Sequence, residues 1–408
     1  MNKIEKLIAE LCPDGVEFTI IGALIENTSN IRWENSQDGQ KFKYIDLTSV
    51  DRVTHTIGNT KAIDRDSAPN RAQKIILKGD IIFGTTRPML RRYCLIPEKY
   101  TEQICSTGFC VLRPKSHLLH PHFLFHLIGT EDFYRHVEAN QRGASYPAIS
   151  DSAVKKFKIP IPPLEVQHEI VRILDTFSEL EAELEAELEA RRKQYEYYRE
   201  RLLSFSDGPK VRYMSIGEFG ELVRGNGMPK SDFVEQGVGC IHYGQIYTHY
   251  GTWATETISF VSPEKAKRLA KVDPGDLIIT NTSEDVGGVC KAVAWIGKSQ
   301  IVTGGHATVL KHDQNSKYIS YYMQTPNFFI EKKKRAMGAK VIDVSAKNLA
   351  KIKIPVPPLE IQHEIADILD KFDALVNDLS IGLPAEINAR RRQYEYYRDR
   401  LLTFKEAA

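Results

Sequence analysis

The chain has 408 residues, 42% of them hydrophobic and 26% charged, with a formal net charge of +2. That composition predicts an ordinary soluble protein of two or three domains, and no apolar run approaches the ~20 residues of a membrane span. The opening Met1-Asn-Lys-Ile-Glu-Lys-Leu lacks the apolar core of a signal peptide, so a cytoplasmic protein that does not enter membranes is expected. The near-zero charge argues against a uniformly basic nucleic-acid binder, but it is an average: six glutamates alternate from Glu179 to Glu189, and the remainder of the chain is distinctly basic.

In chain order, a short helical pattern (Ile4, Leu7, Ile8, Leu11) leads to Pro13-Asp14-Gly15. About 150 residues follow in which β-branched and aromatic runs, such as Lys74-Ile-Ile-Leu-Lys-Gly-Asp-Ile-Ile-Phe, are punctuated by Gly, Pro, Asn and Asp. This texture predicts twisted sheet with a few flanking helices. Within it, Gly84 opens a loop carrying Thr85, Thr86, Arg87, Arg91 and Arg92. A glycine permits close backbone approach, and arginine can meet guanine O6 and N7 in a bidentate way, so these five are candidate DNA contacts. Base reading and phosphate contact both remain open for them. Tyr146 is a further candidate, against the alternative of a core tyrosine.

Next comes Ile159 to Phe205, a stretch written twice: IPIPPLEVQHEIVRILDTF recurs as IPVPPLEIQHEIADILDKF, and ARRKQYEYYRERLLSF as ARRRQYEYYRDRLLTF, ending at Phe404. Pro162-Pro163 before Leu-Glu starts a helix. Ile170, Leu174, Phe177, Leu180, Leu184, Leu188, Tyr195, Tyr198, Leu202 and Phe205 then recur at steps of three and four, predicting a rod of about 40 residues and ~60 Å. Its apolar stripe is narrow and its outer face charged, so the expected partner is another such helix. Tyr195, Tyr198, Tyr394 and Tyr397 fall on the stripe and read as helix packing rather than base stacking.

After Ser206-Asp207-Gly208 a second variable segment repeats the first in outline. Gly79-Asp80 matches Gly275-Asp276, Gly143-Ala144 matches Gly338-Ala339, and Lys156-Phe-Lys-Ile-Pro matches Lys351-Ile-Lys-Ile-Pro. The stretch equivalent to the Gly84 loop holds Asn281, Thr282 and Ser283. With Arg224, Asn226, Tyr243 and Lys340 these are the second segment's candidate DNA contacts, while the cluster Lys332, Lys333, Lys334 and Arg335 suits phosphates better than bases. The second rod matches the first, but Gly382 and Pro384 predict a kink or short break in it. Its offset from the first copy grows from 195 to 199 residues along the rod. The extra four residues are one helical turn, a change of length that the helix tolerates. Because Ile21-Gly22 matches Ile216-Gly217, the end of the second rod would run naturally into residue 1, closing a ring with an approximate twofold axis. The expected division is 1–158, 159–208, 209–353 and 354–408.

The catalytic inventory is empty. There is no phosphate-cradling GxxxxGK[ST], no Asn-Pro-Pro-Tyr or Asp-Pro-Pro-Tyr, and no HExxH. The six cysteines (Cys12, Cys94, Cys105, Cys110, Cys240, Cys290) show no metal-ligand spacing and read as buried reduced thiols. No metal and no cofactor are expected. His168 and His363 sit on exposed helical turns with neither nucleophile nor base beside them, which fits an interface better than acid–base work.

The doubled Pro-Pro-Leu-Glu-x-Gln-His-Glu-Ile segment, the doubled Arg-Arg-x-Gln-Tyr-Glu-Tyr-Tyr-Arg-x-Arg-Leu-Leu-x-Phe helix and the Gly-Asp strand of each variable segment together resemble the specificity subunit of a type I restriction-modification system, over nearly the whole chain. The resemblance implies an α+β fold: two similar mixed α/β target-recognition domains separated by an antiparallel two-helix coiled coil, with a pseudo-twofold, circular internal repeat. It implies a non-catalytic subunit that binds a bipartite site in double-stranded DNA and docks two adenine methyltransferase subunits along the helices, with two restriction subunits in the full assembly. Gln167, His168, Tyr197, Arg199, Gln362, His363, Tyr396 and Arg398, on or near the outer faces of the rods, are the candidate partner-subunit contacts. The competing expectation is a coiled-coil scaffold that never binds DNA; two diverged globular segments speak against it, since a scaffold has no reason to vary them.

Overall fold

The computed structural model describes residues 3–205 and 211–407, so the Ser206-Asp207-Gly208 junction and the expected boundary at 208 lie outside the described residues. The chain forms two compact units, Met1–Glu185 with Glu386–Ala408, and Ala186–Ala385. The first unit takes the beginning of the first rod and the end of the second; the second unit takes the rest of each.

In the first unit, two four-stranded sheets form where the β-branched runs were expected. One orders Ile25–Glu26, Phe109–Pro114, Ile81–Gly84 and Tyr93–Leu95, and the other Lys61–Ile63, Phe42–Ile45, Gln103–Ser106 and Ala72–Ile76. Ile81, Ile82 and Phe83 are buried on both faces, which is why that strand reads as a continuous apolar run rather than an alternating one. The second unit has two five-stranded sheets whose central strands include Leu277–Thr280 and Val238–Ile241. The repeat shows in the small sheets too: Glu17–Ile20 pairs antiparallel with Lys158–Ile161, and Arg212–Ser215 with Lys353–Val356, each pair at an offset of 195 residues. Two of the glycine pairs that the copies share have positive φ, Gly79 at 83° and Gly275 at 99°, Gly143 at 99° and Gly338 at 106°. A side chain would be strained at each, which accounts for glycine surviving where neighbours diverged.

The first rod is a helix from Leu164 to Leu202, 39 residues, and the second is interrupted as Leu359–Asn377 and Leu383–Leu401. The break falls at Asp378, whose carboxylate accepts the backbone N–H groups of Ser380 and Ile381 and so offers the chain a turn in place of the helix. Pro384 then lies in a first turn, where its missing donor costs nothing. In the first unit the rods meet antiparallel: Phe177 stacks on Tyr397 at 5.4 Å, and Arg391 lies 2.5 Å from both Glu181 and Glu185. In the second unit Tyr195 and Tyr198 stack on Phe372. Tyr198 and Leu180 stay 36% and 40% exposed despite lying on the expected stripe. The carboxyl end does meet the start of the chain: Val16 N–H donates to Lys405 O at 2.9 Å, and Ala407 N–H to Val16 O at 2.9 Å.

The two glutamines expected at a partner interface are instead fully buried staples. Gln167 Oε1 accepts the His120 N–H at 2.8 Å while Nε2 donates to Pro162 O at 2.8 Å and Leu118 O at 3.0 Å. Gln362 repeats this with the Asn315 N–H at 3.0 Å and Pro357 O at 2.7 Å. Each amide clamps the approach to a neighbouring helix against the rod, a position no partner can reach. Gln167→Ala is expected to lower unfolding free energy by ~1–3 kcal/mol, the cost of orphaning buried partners, as read from urea denaturation.

All six cysteines are free and buried, and burial pushes the thiols of Cys94, Cys105, Cys110, Cys240 and Cys290 up to about 12. Among the described residues no helix is long and apolar enough to cross a membrane, and no three His, Cys, Asp or Glu side chains group to hold a metal ion.

Candidate nucleic-acid interface

In the first unit the strand Ile81–Gly84 hands over to the candidate loop through Gly84 N–H to Arg92 O at 2.7 Å. Arg87 and Arg91 take left-handed backbone, φ 49° and 54°, on either side of the single 3-10 turn Pro88–Leu90. This loop is tied to a second one. Arg87 N–H donates to Pro147 O at 2.7 Å, Ile149 N–H to Thr85 O at 2.9 Å, and Arg142 and Ala148 exchange two backbone bonds of 2.8 Å. The outcome is one surface built from distant stretches, on which the exposed Tyr146 ring lies 4.6 Å from the Arg87 guanidinium. Thr86 and the exposed Arg142 stand beside it.

Three of the five loop candidates are engaged by other residues of the unit, Thr85 and Arg92 in its interior and Arg91 at its surface. Thr85 is buried, its hydroxyl donating to Gly108 O at 2.9 Å. Arg92 donates to Leu47 O at 2.6 Å and Val50 O at 2.8 Å, tying down a neighbouring loop. Arg91 turns to Glu131 at 2.5 Å and over the Tyr134 ring at 4.3 Å. The Thr85 hydroxyl is thereby used, Arg92 commits one guanidinium nitrogen to two carbonyls, and Arg91 commits one to a half-exposed carboxylate, so the arginines that keep donors free are held in fixed directions.

The second unit repeats the plan. Asn281 holds the place of Thr85 and is likewise buried: its N–H donates to His306 O at 2.8 Å, its amide to Val344 O at 2.9 Å, and its carbonyl accepts from Thr308 at 2.9 Å. Thr282–Ser283 pairs with Ile342–Asp343, beside the turn at Gly338 and the exposed Lys340. Thr282 Oγ1 lies 3.1 Å from His306 Nδ1, and the Tyr243 ring 5.0 Å from the His306 ring. Asn226 bridges to Gly304, which brings its segment against the same turn, while its amide donates to Arg268 O at 2.8 Å. Arg224 is exposed on the adjoining strand, in register with Thr308.

The basic cluster is smaller than its spelling. Lys332 is buried, donating to Gly287 O at 2.7 Å and Val289 O at 2.6 Å, and burial pushes its pKa down. Lys334 and Arg335 share Glu331, at 2.6 and 2.7 Å; Lys333 is exposed.

Along the rods His168, His363, Tyr197 and Tyr396 are exposed. Arg398 is not: it is buried against Asp399 and the Tyr394 ring, with its guanidinium beside Gly129, where an added Cβ would come within 3.2 Å of it. Gly129 supplies the room. The equivalent arginine of the second unit, Arg199, faces Gln324 at the corresponding position and reaches its amide oxygen at 3.3 Å, remaining partly exposed.

Sequence reasoning missed Arg142 and His306. Arg142 precedes the repeated Gly143-Ala144, and that doubled glycine was the available signal. His306 stands where the first copy has Gly108, each carbonyl accepting the N–H of Asn281 or Thr85, so no second histidine marked it and only the fold brings it to Thr282.

The family model for the type I restriction modification DNA specificity domain matches residues 25–190 and 210–389, once on each copy of the repeat. A type I restriction enzyme specificity subunit of Escherichia coli is 34% identical over 281 residues, 63% of this chain and 65% of that one, so the match spans just under two thirds of that relative. A putative type I specificity subunit of Haemophilus influenzae is 31% identical over 301 residues, 70% of this chain and 73% of its own. A solved structure described as the basis of complex assembly and conformational transition of the type I R-M system aligns over 96% of this chain and 98% of its own, with a TM-score of 0.62 and 25% identity. The doubled match to the family model, falling on the doubled fold, places this chain in the type I restriction-modification DNA specificity family.

Proposed function

We propose that this chain is the non-catalytic specificity subunit of a type I restriction-modification complex in the cytoplasm, and that it reads a split site in double-stranded DNA. Residues 1–158 and 209–353 act as the recognition domains, each on one half-site, while 159–208 and 354–408 keep them apart and dock two methyltransferase subunits and, in the full assembly, two restriction subunits. The observation that carries this reading is the paired-loop surface found twice on the same framework, with different side chains in each copy. On the first, Thr86, Arg87, Arg142 and Tyr146 contact DNA; on the second, Arg224, Asn226, Tyr243, Thr282, Ser283, His306 and Lys340 do so, with Lys333 at a phosphate. Arg92 acts from behind by tying the first loop to its neighbour, Arg91 and Arg335 are held by Glu131 and Glu331, and the exposed Lys334 joins Lys333 at a phosphate. The exposed His168, Tyr197, His363 and Tyr396, with part of Arg199, meet the methyltransferase.

Gel-shift titration with the methyltransferase subunit present tests the reading. Arg87→Ala and Arg142→Ala are each expected to weaken binding by ~1–3 kcal/mol, with relaxed base preference in one half-site and none in the other. A uniform loss over all sequences would make them phosphate contacts. No DNA binding by the wild-type complex would leave the scaffold reading in its place.

A further inference from the structure

Both rods start with nearly the same face, Leu-Glu-Val-Gln-His-Glu-Ile-Val-Arg-Ile-Leu from Leu164 and Leu-Glu-Ile-Gln-His-Glu-Ile-Ala-Asp-Ile-Leu from Leu359, yet among the described residues only the first is covered by a further helix. In the first unit the amino-terminal helix Lys3–Leu11 lies on it: Lys3 Nζ is 2.8 Å from the Glu169 carboxylate, and Ile4 shares a core cluster with Val166 and Ile170, with Leu7, Ile8 and Ile173 packed against it. Val166 is 0% exposed. Arg172 also holds Glu169, at 2.7 Å.

At an offset of 195 residues, Val166, Glu169, Arg172 and Ile173 become Ile361, Glu364, Asp367 and Ile368. Steps of three, four and seven place Ile361, Glu364 and Ile368 on one helical face. Ile361 is 39% exposed and Ile368 40%, and Leu359, Glu364, Asp367 and Leu375 are exposed with them. The open face is therefore apolar with a margin of Glu360, Glu364 and Asp367 beside one exposed base, Lys371, and arginine has been replaced there by a second acid.

We propose that this face of Leu359–Asn377 docks an amphipathic helix of a partner, carrying basic residues beside its apolar stripe, and that Lys3–Leu11 is a built-in occupant of the matching face in the first unit. This rests on the reading above, in which the partner is the methyltransferase subunit. The chemistry of the occupant is copied from the amino-terminal helix itself, which sets a lysine against the glutamate and apolar residues against the valine and isoleucines. A second copy of this chain is the poorer occupant, because its amino-terminal helix would have to uncover its own Val166 to cover another molecule's Ile361. The two docking faces are thus unequal, and the first partner copy binds at the open one.

Titrating the full-length chain with methyltransferase subunit, followed by native mass spectrometry, is expected to show two binding steps separated by about tenfold or more in Kd, or ~1.4 kcal/mol. Ile361→Glu with Ile368→Glu, at exposed positions that leave thermal melting unchanged, removes the tighter step. Ile4→Asp, or the milder Lys3→Glu if the first proves unstable, loosens the amino-terminal helix and brings the weaker step toward the tighter. Equal steps in the wild-type chain, or a tighter step that survives the isoleucine changes, would overturn the inference while leaving the specificity-subunit reading intact. Failure of the wild-type chain to bind the subunit at all removes both.

Discussion

A fourth Glu-Leu-Glu-Ala block inserted after Ala190 is expected to lengthen the gap between the two proposed half-sites, by at most about two base pairs, without changing either half-site. The insertion adds ~6 Å of helix, and base pairs rise ~3.4 Å each. It lies beyond Glu181 and Glu185, which pair with Arg391, and before Tyr195, which stacks on Phe372, so it replaces no residue of either set of rod contacts. Four residues overshoot one turn by about 40°, so part of the added length goes into rotation, which is why two base pairs is the upper bound. Methylome sequencing of cells carrying the variant reads the gap directly. An unchanged gap would mean that the rods do not measure the spacer, whatever else they do.

Asp80→Ala is expected to cost ~3–5 kcal/mol of unfolding free energy, enough to remove the first unit's function. Asp80 is 0% exposed, and its carboxylate accepts the Leu77 N–H at 2.8 Å and the Nε and Nη2 donors of Arg113, each at 2.8 Å. Removing it strands a largely buried guanidinium and an amide with no acceptor. The repeat supplies an internal control. Asp276 accepts the Asp273 N–H at 2.7 Å and pairs with Lys311 at 2.8 Å, but Lys311 also reaches Asp273 at 2.7 Å and is more exposed. Asp276→Ala should therefore cost roughly 1–2 kcal/mol, because the lysine keeps a partner. Calorimetry of both variants decides it; equal losses would mean that the second carboxylate offers no compensation.

Several features were legible because they are local or periodic. The rods follow from apolar steps of three and four, the break near Gly382 from glycine and proline, the buried thiols from the missing metal spacing. The repeated glycines were legible only as matching framework positions; their positive φ at Gly79, Gly275, Gly143 and Gly338 belongs to the structure. The candidate contacts were less legible. An arginine in a polar loop has the same spelling whether it points to solvent, as Arg87 does, or donates to two carbonyls, as Arg92 does. Likewise Gln167 and Arg398 look like charged-face residues of a helix until the packing around them is known.

By itself the sequence determined that the chain is one unit written twice, that its helices are amphipathic and paired, and that it carries no catalytic motif, because repeats, periodicity and motifs are properties of spacing along the chain. Tertiary structure alone decided which polar groups are free. The Gly84 loop reaches Pro147 and Ala148, Asn281 reaches Val344, and Arg398 lies against Gly129, all across long sequence separations. A donor's availability depends on the acceptors that the fold brings within hydrogen-bond distance, and those acceptors are mostly backbone carbonyls, which every residue carries and no sequence pattern marks.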